Sequence, residues 1–340
     1  MPVPVCARVA LIALLAVVLA ACTGGTAGTT GPEPTASPSA ASASVAPSVE
    51  PSPTAEFPVT LTDDEGTAVD IPATPQKIVS LTPAATEILF AIGAGDRVVA
   101  KVEDVANHPP QADALPVVAT FEGVDTEQIV GLAADLVIAG GNFGTPPDAV
   151  AKLRSLGIPV LVVYATTVAA ALADIELIGS SVGASDAAKD LTASMRAGFD
   201  QVATATGELP APRVFYETGT LDLAVYGIAD DSVYEELLTM AGAAPVTTGS
   251  ATNWEMSTEI LVTADPEIIL LGDGAYGVTA EAVAARPGWD VLTAVKEGAI
   301  VPVDDIVVTR PGPRLVEGLH VLARAIHPDV VLPSLAPVVP

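Results

Sequence analysis

Two stretches of this chain align with each other without a gap, and that duplication constrains the fold more than any other feature. Asp125-Thr-Glu-Gln-Ile-Val-Gly-Leu-Ala-Ala-Asp-Leu-Val-Ile-Ala-Gly140 falls on Ser257-Thr-Glu-Ile-Leu-Val-Thr-Ala-Asp-Pro-Glu-Ile-Ile-Leu-Leu-Gly272. Each copy opens on a helix N-cap residue and puts a glutamate in the first turn. Each then runs through a short helix into an apolar strand that ends at glycine. A second pair follows the same order: Glu87-Ile-Leu-Phe-Ala-Ile-Gly93-Ala against Glu236-Leu-Leu-Thr-Met-Ala-Gly242-Ala. Helix–strand units resemble one another by chance, but two matches in one order predict a pseudo-symmetric pair of lobes.

Around these echoes, short β-branched runs alternate with helical stretches. The runs predict strands at Lys77–Leu81, Arg97–Lys101, Asp135–Ala139, Pro159–Tyr164, Arg213–Glu217, Glu267–Gly272 and Ala299–Val303. Helical periodicity appears at Ala84–Ile92 and Ser232–Met240. Such alternation implies α/β lobes built on parallel, doubly wound sheets, residues 57–167 and 206–330, with a tail at 331–340. Between the lobes, 168–205 is alanine-rich and free of proline, with a break expected near Gly183. Uninterrupted, that single long helix would span roughly 50 Å and act as a strut.

Residues 1–22 read as an export signal: one basic residue, Arg8, then the apolar run Val9 to Ala21, too short to cross a bilayer comfortably. The run ends in Leu19-Ala20-Ala21-Cys22, which resembles the bacterial lipobox, so Cys22 is the expected lipidation site. A plain signal peptide with a nearby cut is the alternative. Residues 23–56 are Thr, Gly, Ser, Ala and Pro almost throughout, with Glu33, Glu50 and Glu56 the only charges. Such a segment buries too little apolar area to offset its ordering entropy, and after a lipidated cysteine it reads as a tether. The expected location is the extracytoplasmic face of the cell membrane.

The chain of 340 residues carries 14 Lys and Arg against 41 Asp and Glu. A surface so acidic repels phosphate backbones and argues against nucleic acid as a partner. Both cysteines, Cys6 and Cys22, precede the folded body, so no disulfide staples it and no cysteine cluster holds a metal there. No Gly-x-Ser-x-Gly, His-Glu-x-x-His or Walker-type motif is present, which argues against an exported enzyme, the rival from another class. The three histidines are His108, His320 and His327, too dispersed to form a dedicated metal site. No metal site and no resident cofactor are expected.

In open α/β sheets, ligands collect where loops converge beyond the carboxyl ends of the strands. The loops so placed contain Thr82, Asp104, His108, Phe121, Asn142, Trp254, Tyr276 and Arg310, the candidate ligand residues. Phe121 and Trp254 admit two readings each, the wall of a ligand cleft or a plug in a core. Arg310 can meet an anionic group on a ligand, whereas Arg314 can pair with a neighbouring acid.

Lys77-Ile-Val-Ser-Leu-Thr-Pro-Ala-Ala-Thr-Glu-Ile-Leu-Phe-Ala-Ile-Gly-Ala-Gly-Asp96 resembles the opening strand–helix signature of the binding proteins that serve iron–siderophore, haem and vitamin B12 importers. The resemblance continues through His108-Pro-Pro, Asp135-Leu-Val-Ile-Ala, Ser155-Leu-Gly-Ile-Pro-Val160 and Arg310-Pro-Gly-Pro-Arg314. It implies two lobes joined by one helix, with a ligand in the cleft between them. It also implies delivery to a membrane permease whose ATPase is a separate chain, by a monomeric binding protein. Glu127 and Glu259 match the family glutamates that meet arginines on the permease. Phe121 and Trp254 match two tryptophans that line the cleft in the B12-binding members, the first replaced here by phenylalanine. Corrinoid, ferric siderophore and haem all stand as ligands, with the two rings favouring a corrinoid. His108, where some B12 binders carry tyrosine, is a conceivable axial contact to a chelated metal.

Overall fold

A computed structural model describes residues 57–141, 144–221 and 224–335. The proposed signal, Cys22, the tether, Asn142 and the last residues of the tail lie outside the described residues. Among the described residues, no helix is long and apolar enough to cross a membrane.

Every expected strand is present within a residue of its expected ends. The N-terminal lobe holds a sheet of six strands in the order Gly123–Val124, Val117–Thr120, Val98–Val102, Ile78–Ser80, Leu136–Gly140 and Val160–Val163. All are parallel except the antiparallel edge Gly123–Val124. The C-terminal lobe holds a parallel sheet of four strands: Ala244–Pro245, Arg213–Glu217, Ile268–Leu271 and Ile300–Pro302. The inner strand Leu136–Gly140 and the edge strand Val160–Val163 are buried throughout, because helices cover both faces of a parallel sheet. This burial on both sides produces the unbroken apolar runs visible in the sequence. Two small antiparallel sheets, Val59–Thr62 with Ala68–Ile71 and Gly219–Leu221 with Ala224–Tyr226 and Glu255–Met256, are absent from the sequence reading. Their strands are two to four residues long and leave little periodicity to read.

The internal repeat holds to the level of single hydrogen bonds. Asp125 accepts the amide of Gln128 at 2.9 Å, and its counterpart Ser257 accepts the amide of Ile260 at 3.1 Å. Each helix then buries one aliphatic residue completely, Ile129 or Leu261. Each leaves its helix through a left-handed residue at the same repeat position, Ala133 (φ 55°) and Asp265 (φ 46°). Asp135 accepts the amides of Gln76 and Lys77, both at 2.8 Å, where the strand Ile78–Ser80 begins. Glu267 does the same for Arg213 at 2.9 Å, where the strand Arg213–Glu217 begins. The carboxylates thus hold each repeat's strand beside the first parallel strand of its lobe.

The expected strut at 168–205 is two helices, Val168–Ser181 and Ser185–Thr206. Gly183 at φ +71° takes the left-handed conformation that ends the first helix. The chain then folds back on itself. The Glu176 carboxylate accepts from Thr192 Oγ1 at 2.7 Å and from Arg196 Nη2 at 3.1 Å, which fixes an antiparallel pair. The connecting element is therefore Ser185–Thr206, 22 residues and about 33 Å long. Its apolar face, with Met195 and Phe199, joins a buried cluster that runs from Ile88 and Leu136 to Leu237 and Leu319. One apolar layer thus continues from lobe to lobe, and separating them would expose it to water.

Candidate functional site

The carboxyl ends of the two parallel sheets meet through charge. Asp104 follows the strand Val98–Val102, and Arg310 follows the strand Ile300–Pro302 by way of the short helix Asp305–Thr309. Arg310 forks across both oxygens of Asp104, its Nη1 lying 3.1 Å from Oδ2, and the same nitrogen donates to Glu87 Oε1 at 3.0 Å. Arg314 grips Glu87 from the other side, Nε to Oε2 at 3.0 Å and Nη2 to Oε1 at 2.7 Å. Glu87 is 1% exposed and Asp104 8%. Burial works to raise the pKa of Asp104, but the Arg310 hydrogen bonds and the Ala106 amide outweigh it and hold the carboxyl below its usual value. Burial likewise disfavours the Arg314 cation, and the Glu87 carboxylate reverses that and raises its pKa. Asp104 and Arg310, both expected to face a ligand, are engaged with each other, so neither offers a free charge in this state.

The same carboxylate shapes the neighbouring loop. Asp104 accepts the amides of Ala106 at 2.9 Å and His108 at 3.4 Å, which sets the half-buried imidazole at the edge of the cluster. Burial, followed by the Arg314 charge, lowers the pKa of His108 and keeps its ring neutral. Thr82, after the strand Ile78–Ser80, caps the helix Pro83–Ala91 by accepting the Ala85 amide at 3.0 Å. Its methyl group also packs against the backbone of Gly140.

The aromatic residues separate by exposure. Phe121 stands fully in solvent at 102% and Tyr276 is 68% exposed, so neither plugs a core. Trp254 is half-buried and lies edge-on to Tyr234, with ring centroids 5.7 Å apart and planes at 76°. Tyr234 donates through its hydroxyl to the carbonyl of Thr309 at 3.3 Å, one residue before Arg310. Trp254 therefore rests on a ring tied to the charged cluster.

A second buried cluster, which sequence reasoning missed, closes the carboxyl end of the C-terminal sheet. Glu217, fully buried, takes both guanidinium nitrogens of Arg286 at 2.6 and 2.7 Å, and Arg286 stacks 4.6 Å from the centroid of Trp289. Tyr216 donates to Asp305. Asp273, 5% exposed, lies beside Glu217, and burial raises the pKa of both carboxyls. The available signal was an acid closing the apolar run Val214-Phe-Tyr216 of the strand Arg213–Glu217. Among the described residues, no group of three or more His, Cys, Asp or Glu is arranged to hold a metal ion.

The expected docking glutamates take no part in the hydrogen bonds of either cluster. Glu127 and Glu259 are exposed, each in the first turn of its repeat helix, Thr126–Gly131 or Thr258–Ala264.

Residues 78–307 match the family model described as periplasmic binding protein. The chain is 35% identical over 279 residues to an uncharacterized ABC transporter substrate-binding lipoprotein, YvrC, of Bacillus subtilis, covering 80% of this chain and 87% of that one. It is 31% identical to a cobalamin-binding protein of Halobacterium salinarum, covering 80% and 74% of the two chains. The crystal structure of the periplasmic vitamin B12 binding protein BtuF of Vibrio cholerae superimposes with a TM-score of 0.63 at 25% identity, covering 74% of this chain and 97% of that one.

Proposed function

Since this chain belongs to the periplasmic binding protein family, we propose that it is the extracytoplasmic substrate-binding component of an ABC importer, taking up a metal chelate of the corrinoid class. The observation that carries this reading is the Arg310–Asp104 contact. It joins the segments that follow the strands Val98–Val102 and Ile300–Pro302, and the exposed rings of Phe121 and Tyr276 and the half-buried ring of Trp254 support a ligand with apolar faces. A large, planar, partly apolar ligand needs flat hydrophobic walls of this kind, and aromatic rings supply them at low entropy cost. The cobalamin-binding name of the Halobacterium salinarum relative supports a corrinoid over a ferric siderophore.

The role is capture and delivery, with no catalytic step. Leu19-Ala20-Ala21-Cys22 supports a lipid anchor, and the lipoprotein name of the Bacillus subtilis relative agrees with it. Glu127 and Glu259 supply a carboxylate on each lobe for arginines on the permease. Haem is the second reading, favoured by the neutral, half-exposed imidazole of His108, whose lone pair can reach a metal. Tryptophan fluorescence titrated separately with cobalamin, cobinamide, a ferric hydroxamate and haem tests the proposal. Saturable quenching by a corrinoid supports it; quenching by haem alone selects the second reading, and quenching by none refutes both.

A further inference from the structure

Lys101, in the strand Val98–Val102, is 3% exposed, the most deeply buried lysine or arginine among the described residues. The register of that strand fixes the face it occupies. Ile78 pairs with Val98, and both join the apolar cluster that includes Ile88 and Leu89 of the helix Pro83–Ala91. Val79 pairs with Ala100, and both join a separate cluster. Ser80 pairs with Lys101 next, so strand alternation returns both side chains to the helix face, where Ser80 bonds the hydroxyl of Thr86. Glu87 is the next residue of that helix, and Asp104 follows Lys101 in the adjoining loop.

Neither acid takes the lysine. Glu87 is held by Arg310 and Arg314, and Asp104 by Arg310. Among the described residues, the Lys101 ammonium has no hydrogen-bond or ion-pair partner, yet it is not one of the fully enclosed polar atoms. A group from outside can therefore reach it. Burying an ammonium without a counter-charge costs stability, so its place in the strand calls for an explanation beyond packing. Lysine does bury its stem along apolar surface and leave its head in water. That reading assigns the residue no ligand, and it makes a different prediction from the one that follows.

We infer that Lys101 receives an anionic oxygen of the bound chelate, a phosphate or a carboxylate. This rests on the reading of the protein as a chelate-binding component, and adds the chemistry of one ligand group. Arg310 and Arg314 cannot take that part while Glu87 and Asp104 hold them. The ammonium is a point charge with three donors and serves either anion. A ligand anion beside it offsets the cost of its burial. Cobalamin carries a phosphodiester, cobinamide is the same ring without it, and haem carries carboxylates, so the three separate the sources.

The experiment titrates the full chain with each of the three, at low and high salt, for wild type, Lys101→Met and Lys101→Gln. Wild type should bind cobalamin about tenfold tighter than cobinamide, with the gap narrowing at high salt. Both variants should lose the gap by weakening cobalamin about tenfold and leaving cobinamide unchanged. Should the carboxylate be the source, the variants weaken haem instead and spare both corrinoids. Both variants should melt at or above the wild-type temperature, since each removes a buried charge that has no protein partner. Unchanged affinity for every ligand that wild type binds overturns the inference and leaves the chelate reading intact. A lower melting temperature in both variants, with affinities unchanged, likewise makes Lys101 a structural residue. Absence of binding to all three by wild type overturns the chelate reading and the inference with it.

Discussion

Glu87 and Glu236 stand at equivalent positions in the two halves, and each carboxylate reaches across to the other side of the molecule. Glu87, in the N-terminal lobe, takes Arg310 and Arg314 of the C-terminal segment; Glu236, in the C-terminal lobe, accepts the amide of Val168 at 2.9 Å, opening the helix packed on the N-terminal lobe. The pair staples the lobes at two points. The partners differ in kind, and so do the consequences. Glu87→Ala leaves two guanidinium groups short of a partner in a buried setting, and should cost about 3–5 kcal/mol. Glu236→Ala removes one charge-assisted bond at a helix start and should cost about 1 kcal/mol. Urea denaturation of the two variants checks the ratio; equal losses would contradict it.

Phe121 and Trp254 should part company in stability. Phe121 packs on nothing that its exposure reveals, so Phe121→Ala should leave the melting temperature unchanged while weakening chelate binding. Trp254→Ala removes a ring contact with Tyr234 as well, so it should lower both, with binding weaker by about 1–3 kcal/mol. Calorimetric titration beside thermal melts separates these effects. A drop in melting temperature for Phe121→Ala, with affinity intact, would remove that ring from the site.

Asp174 predicts a pH dependence of stability. It is 5% exposed beside Asp64, and burial first, then the Asp64 charge, push its pKa from the ordinary 3.8 up to about 8. The folded chain therefore keeps a proton that the unfolded chain releases. With the folded pKa raised, the contribution is fully present below the unfolded value and is lost as pH rises through about 8. This one group should lower stability between about pH 4 and 8, by at most roughly 1.4 kcal/mol per pH unit. Asp174→Asn stays neutral and should flatten the slope. Parallel slopes for variant and wild type in denaturant titrations across this range would mean that Asp174 is ionised in the folded protein.

Cys22 is the expected anchor, in a segment outside the described residues. Cys22→Ser should shift the protein from the membrane fraction into the medium and abolish labelling by a fatty-acid analogue. Retention of the variant in the membrane, with wild type unlabelled, would set the lipid anchor aside.

The parallel strands are legible in the sequence because both faces of each sheet are covered, which turns a strand such as Leu136–Gly140 into an unbroken apolar run. The caps Asp125 and Ser257 are legible because a short oxygen-bearing side chain before a helical stretch has few other uses. The turn at Gly183 is visible as a weak point, but whether the chain bends or folds back depends on contacts such as Glu176 with Thr192. The charged cluster is illegible for a different reason: Arg310 and Glu87 are 223 residues apart, and no local pattern pairs them. Arg310 therefore reads as a free cation for a ligand until the fold supplies its two acids. The same holds for Glu217 and Arg286, 69 residues apart.

Delivery of a bound chelate to a permease should show itself as stimulation of the transporter's ATPase in proteoliposomes. Chelate-loaded wild type should stimulate hydrolysis. The double variant Glu127→Ala with Glu259→Ala should bind the chelate with unchanged affinity and yet fail to stimulate, because each glutamate is exposed in a first helical turn and takes no part in the charged cluster's hydrogen bonds. Full stimulation by the double variant, or none by loaded wild type, would mean that the two glutamates do not deliver the chelate to a permease.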